Sequence, residues 1–244
     1  MANASRSEAV PASTRQALAQ LDALLATLPP DRRHLPLAVT VGRLHRVKGM
    51  ATLVQAWASD PAAVARCNLL VVGGDLDDPT PDEADELTRI AASVAPVDAA
   101  ARGLLLAGHR PNGVVATWLA AARWGRPGLS APGGVYVSAS LKEEFGIAIL
   151  EAMASGLVVV APREGGPATY VEHGVTGLLV DTTSATELAG AVVSALELAA
   201  APDAAGRADH VRARVAGEFG VATMASSLAA IYSEVSVDAA RHQS

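Results

Sequence analysis

Residues 143–156, E-E-F-G-I-A-I-L-E-A-M-A-S-G, carry the side chains best suited to chemistry. Glu143 stands just before a glycine-containing turn, and a second carboxylate, Glu151, follows eight residues later. Ile147, Ile149 and Leu150 between them are apolar, and Gly156 stops the run. A helix opening at Phe145-Gly146 aims its unpaired N–H groups, and the positive end of its dipole, at whatever lies beside Glu143. Such a corner favours an anion. Two carboxylates next to it suit a ligand with both phosphates and hydroxyls, such as a sugar nucleotide. The plain alternative for Glu143 is a solvated acid at a helix start, and for Glu151 an ordinary helical glutamate. A charge among Ile147, Ile149, Leu150, Ala152 and Met153 would, however, be costly to bury unpaired.

A second group precedes it. Residues 41–49 read V-G-R-L-H-R-V-K-G: Gly42 ends a run of strand character, and Arg43 and Lys48 flank the loop into the next helix. Arginine offers a planar fork for phosphate oxygens and lysine a compact point charge. Together they could neutralise a diphosphate, including charge developing on a departing one; taken alone they read first as solvated surface cations. Gly42 and Gly49 do not make G-x-G-x-x-G, which argues against a nicotinamide or flavin site. A third group, R-E-G-G-P-A-T at 163–169, has paired glycines that let backbone approach a ligand closely, and Pro167 to stiffen the exit. It is expected to face the same crevice.

Positioning these residues requires alternating strands and helices. Short β-branched or apolar runs predict strands over 37–41, 68–72, 104–107, 135–138, 157–161 and 177–180. Helical spacing predicts helices over 14–28, 48–58, 82–95, 111–122, 146–155, 184–199, 204–216 and 221–235, the third with an acidic first turn that suits the dipole. The glycine- and proline-rich stretch 123–134 reads as a loop. The alternation implies an α/β fold: a doubly wound parallel sheet of about six strands, Rossmann-like, with extra carboxyl-terminal helices. Ligands of such sheets bind outside the carboxyl ends of the strands, where all three groups lie. The expected division is a tail and helix over 1–35, one ligand-binding domain over 36–235, and a disordered tail over 236–244.

Composition narrows the classes. Hydrophobic residues are 50% of the 244 but aromatics only 3%, so the core must be built of Ala, Val and Leu. A net charge of −6 argues against nucleic acid and against an anionic membrane surface as partners. No apolar run has the length of a spanning helix, and the polar amino terminus lacks the apolar centre of a secretory signal. One cysteine, Cys67, excludes an intrachain disulfide and fits a reducing cytoplasm, the expected location. Cys67 itself reads as a small hydrophobe, and Trp57 and Trp118 as packing on the sheet. The acids between Asp75 and Glu86 read as a solvated loop and helix start, not a cation site. The six histidines are scattered; only His45 and His109 fall near the crevice, and no metal cluster is visible.

The order V-G-R-x4-K-G, G-H-R-P-N, E-x-F-G-x4-E-A-M-A-x-G, G-G-P and G-V-T-G-x-L-V resembles the carboxyl-terminal, donor-binding half of retaining glycosyltransferases with two Rossmann domains. That group includes sucrose-phosphate synthases and bacterial α-glycosyl and mannosyl transferases. The resemblance implies transfer of a hexose from a UDP-, GDP- or ADP-linked donor, without metal or cofactor. It makes Glu143, Arg43 and Lys48 the catalytic residues. Arg43 and Lys48 would hold the donor diphosphate, with Gly42 beside them. Glu143 would bind sugar hydroxyls, the amides of Phe145, Gly146 and Ile147 the sugar and phosphate, and Glu151 the ribose. The main chain of Arg110 would sit against the base, and His109 is a further substrate-binding residue near the crevice. In the group the acceptor and a helpful histidine come from an amino-terminal domain, which 1–35 is too short to form. The acceptor half is therefore expected from a separate protein or a second copy. The alternative is a non-catalytic sugar-nucleotide- or partner-binding module.

Overall fold

The computed structural model describes residues 10–219. Six parallel strands, β1 (Leu37–Val41), β2 (Asn68–Val72), β3 (Leu104–Leu106), β4 (Val135–Val137), β5 (Val158–Pro162) and β6 (Gly177–Val180), form one sheet in the order β3-β2-β1-β4-β5-β6. The chain steps outward from β1 to β3, returns to place β4 on the other side of β1, and steps outward again. Where the direction reverses, between β1 and β4, the connections leave to opposite faces and a crevice opens at the strands' carboxyl ends.

Successive strand residues point to opposite faces, and both faces are covered. On one, Ala38, Leu69, Val71, Val135, Val137 and Val160 pack with helices α2 (Met50–Ser59), α3 (Pro61–Arg66), α4 (Pro81–Ser93) and α8 (Ala185–Ala200). On the other, Leu37, Val39, Leu70, Val72, Tyr136 and Val159 pack with α1 (Ala12–Leu25), α6 (Asn112–Trp124), α7 (Ile147–Ala154) and α9 (Ala204–Phe219). The strands are buried on both sides, which is why they read as nearly unbroken aliphatic runs. Trp57 and Trp118 are fully buried, one on each face. α1 joins the second layer through polar anchors as well. Trp118 Nε1 donates to Ala17 O at 2.8 Å, and Arg126 grips both oxygens of Asp22 at 2.7 Å.

Local chemistry explains the elements that differ from sequence expectation. α3, opened by Asp60 accepting from the Ala62 and Ala63 amides with Pro61 behind it, and α5 (Ala99–Arg102) are too short to show a helical period. The helix expected over 48–58 is split. A 3-10 turn, Arg46–Lys48, comes first, and α2 starts only after Gly49, whose φ is 66°. A Cβ at Gly49 would lie 2.0 Å from Ala139 O, so only glycine lets this loop pass the end of β4. α4 begins as the sequence suggested, with a capping box between Thr80 and Glu83 and Pro81 in its first turn. The helix expected over 221–235 and both chain ends lie outside the described residues. No single helix among the described residues is long and apolar enough to cross a membrane.

Candidate functional site

A cavity of about 420 Å³ opens at the carboxyl ends of β1 and β4, the reversal point of the sheet. The turn after β1 contributes Gly42, Arg43 and Lys48 to its wall, and the turn after β4 contributes Glu143, Phe145, Gly146 and Ile147. These two groups, far apart in sequence, meet in one place.

Lys48 Nζ donates to Glu143 Oε2 at 2.7 Å, with 28% and 15% of the two side chains exposed. Ser140 Oγ donates to the same oxygen at 3.1 Å. Ser140 is held in turn: its hydroxyl receives Ser138 Oγ at 3.3 Å, and its carbonyl receives Thr182 Oγ1 at 2.8 Å. Glu143 Oε1 receives no hydrogen bond from the described residues, and Lys48 keeps two N–H donors beyond this pair. Arg43 is exposed on the same wall and makes no hydrogen bond or ion pair with another described residue. His45 shapes the turn from outside the cavity. Its Nδ1 accepts from the Val47 amide at 3.2 Å and caps the 3-10 turn that presents Lys48.

The Glu143 turn is pinned from behind. Tyr170 Oη donates to Phe145 O at 2.6 Å, and its ring meets the Phe145 ring edge-on at 6.4 Å. Gly166 N donates to Glu143 O at 3.0 Å. A Cβ on Gly165 or Gly166 would lie 2.3 or 2.2 Å from the carbonyl oxygens of Glu143 and Glu144. The paired glycines of 163–169 thus serve close approach to the backbone of the Glu143 turn, and neither lines the cavity. Gly146, with φ 80°, opens α7 and supplies no side-chain cap, so no side chain competes for the first amides of that helix. The Tyr136 phenol lies in the cavity floor and donates to Val41 O at 3.3 Å. Burial, then the charges of Glu143 and Glu151, push its pKa up and keep it neutral. Tyr170 is shifted the same way, by burial and then Glu143.

The remaining expected residues lie elsewhere. His109 and Arg110, after β3, line a different cavity together with Ser13, Gln16 and Gln20 around α1. The Arg110 guanidinium sits 5.5 Å from the Trp118 ring centre and donates to His109 O at 2.9 Å. Glu151 is exposed on α7, so the cost of burying an unpaired charge does not bear on it. α7 packs on the same face of the sheet as Tyr136, but Glu151 does not line the cavity. Glu86 departs from the solvated reading of the acidic stretch: it is 2% exposed, accepts from the Ala51 amide at 2.8 Å and pairs with Arg89 at 2.8 Å, so it caps α2. Cys67 is buried, and burial pushes its thiol up to about 12, as befits a small hydrophobe. Among the described residues no three His, Cys, Asp or Glu side chains are grouped as a metal would need.

Sequence reasoning missed Ser138, Ser140, Tyr136, Tyr170 and Thr182. Only Ser140, three residues before Glu143, carried a local signal; the others act through contacts between distant turns.

Comparison with known proteins agrees with this geometry. A family model described as glycosyl transferases group 1 matches residues 36–198. The sucrose synthase of Denitrovibrio acetiphilus is 34% identical over 167 residues, which are 66% of this chain and 20% of that protein. Among solved structures, the sucrose-phosphate synthase of Thermosynechococcus elongatus superposes with a TM-score of 0.68 at 30% identity, covering 92% of this chain and 49% of that one. HepE of Anabaena, solved in complex with UDP, gives a TM-score of 0.67 at 24% identity, covering 92% of this chain and 54% of that one. The chain thus spans about a fifth of the length of the sucrose synthases and about half of the solved structures it matches. With its doubly wound sheet and a cleft at the reversal point, the chain belongs to the group 1 glycosyl transferases.

Proposed function

We propose that the cleft between β1 and β4 binds a nucleoside diphosphate hexose and serves as the donor half of a retaining glycosyltransferase. The observation that carries this reading is the Lys48–Glu143 pair, which places a cation for phosphate and an acceptor for hydroxyls side by side. In the reaction the bond between the sugar's anomeric carbon and the diphosphate oxygen breaks, and an acceptor hydroxyl oxygen bonds to the same face of the sugar, its proton passing to the departing diphosphate. Negative charge collects on the departing diphosphate. Lys48 and Arg43, with the uncapped amino end of α7, meet that charge with positive charge at the cavity wall. Glu143 Oε1 accepts from sugar hydroxyls and fixes the ring, while Tyr136 stays neutral in the floor with its hydroxyl donated to Val41 O.

Glu151, on the outer side of α7, is assigned to the ribose, and the main chain at His109-Arg110 to the base. The acceptor is held by a domain other than the one described. Without that positioning, effective only in near-attack geometry, turnover by the described domain by itself is slow. Calorimetric titration of the chain with UDP, GDP and ADP tests the reading: one of them should bind with millimolar or tighter affinity. Absence of heat with all three would refute it.

A further inference from the structure

The opposite end of the sheet has its own cavity, of about 200 Å³, where β4, β5 and β6 begin. Its lining is mostly apolar, from residues such as Leu157, Val158 and Val211, and it contains two arginines, Arg123 and Arg207, and no carboxylate. Both arginine side chains are largely removed from water, at 12% and 15% exposure. Their acids stand outside: Asp209 and Asp203 are 71% and 74% exposed.

Arg123 is poorly paired. Its guanidinium has no hydrogen bond to another described residue; its one acidic neighbour, Asp209, is 3.9 Å away and is shared with Arg212 at 3.7 Å. It lies 4.5 Å from the Trp124 ring centre and against Gly156, where a Cβ would come within 2.2 Å of Nη1. Burial and the like charge of Arg212 both lower its pKa. Arg207 Nη2 bonds Leu198 O at 3.1 Å and Asp203 at 2.7 Å, but its buried Nε has no acceptor. Three guanidiniums, Arg123, Arg207 and Arg212, therefore face two solvated acids. The buried Arg207 Nε without an acceptor is costly, and an oxyanion meets it and the neighbouring Arg123 guanidinium with charge-assisted, forked hydrogen bonds.

We propose that this cavity binds a small organic oxyanion, a phosphate or carboxylate on a compact apolar body, independently of the donor cleft. The apolar lining accommodates the body and the two arginines the charge. Such a ligand ties α6 to α9 across the start of β5, at the end of the sheet remote from the chemistry.

Trp124 reports on the site, because it is 68% exposed while Trp57 and Trp118 are buried elsewhere. The full chain is titrated with inorganic phosphate and, separately, with malonate, following tryptophan fluorescence and heat. The proposal expects a saturable signal with at least one anion, and the stronger arm identifies phosphate or carboxylate as the group preferred. Trp124→Phe should abolish the fluorescence change and keep the heat. Arg123→Gln and Arg207→Gln should each weaken the binding seen by Trp124 fluorescence about tenfold or more, the loss of a charge-assisted hydrogen bond, while Arg43→Gln, in the other cleft, leaves the affinity read from Trp124 fluorescence unchanged. Arg207→Gln decides the matter if Arg123→Gln fails to fold. No saturable signal at tens of millimolar of either anion, or equal affinity in the arginine variants, overturns the proposal, as does loss of the signal in Arg43→Gln.

Discussion

Lys48 Nζ and Glu143 Oε2 are 2.7 Å apart although 95 residues separate them in sequence. The contact exists because β1 and β4 are neighbours in the sheet while their connections leave on opposite sides. Each partner also depends on its own turn: His45 caps the one that carries Lys48, and Ser140 orients the carboxylate. Ser140→Ala should therefore weaken donor binding several-fold, on the order of 1 kcal/mol for one hydrogen bond, with little change in unfolding midpoint. Calorimetry paired with thermal unfolding checks both halves of that expectation.

The Glu143 turn should be as sensitive from behind as from the cleft. Tyr170→Phe removes the hydroxyl that donates to Phe145 O but keeps the ring contacts. We expect a stability loss of about 1 kcal/mol together with a weakened donor affinity. Gly165→Ala is the harsher change, because φ is 92° and the new methyl would meet Glu143 O. It should cost more than Tyr170→Phe in both measurements. A Gly165→Ala protein with unchanged donor affinity would show that the turn's position is immaterial.

Glu86 offers a control remote from the site. Removing it as Glu86→Ala uncaps α2 and leaves Arg89 without its buried partner. The expected loss is about 2 kcal/mol of stability, read from urea unfolding, with donor affinity unaltered. A solvated glutamate would show no such loss of stability.

Alkaline pH should unfold the protein through groups that must stay protonated inside it. Cys67 is raised from 9.0 to about 12 by burial, and Tyr136 and Tyr170 are raised as well. Raised folded values mean that the stabilising contribution is complete below the unfolded pKa and disappears as pH climbs through the folded one. Stability should thus be flat up to about pH 9 and then fall, by at most about 1.4 kcal/mol per pH unit for each group. Cys67→Ala should flatten the first part of the decline, between pH 9 and 10, where tyrosines do not yet titrate. Urea midpoints across this range test it.

The sheet was legible because strands buried on both faces are written as aliphatic runs bounded by glycine, and the crevice because cations and acids sit in the turns that follow them. What escaped was set by contacts between turns. Ser138, Tyr170 and Thr182 matter only through partners that the fold brings in from other elements. Gly165 and Gly166 announced a close approach, but spacing does not say to what; the neighbour is the backbone of residues 143 and 144. Glu86 looked like its solvated neighbours, since one helical face differs from another only by phase. α3 and α5 are shorter than the period that would reveal them.

A double-mutant cycle on donor affinity tests the central claim most directly. The nucleoside diphosphate glucose that binds best is titrated into the unaltered chain, Lys48→Ala, Glu143→Ala and the double variant. Each single change should weaken binding about tenfold to a hundredfold, the range for hydrogen bonds to charged groups, and the double should fall short of the product because the two side chains touch. Unchanged affinity in either single variant would contradict the account.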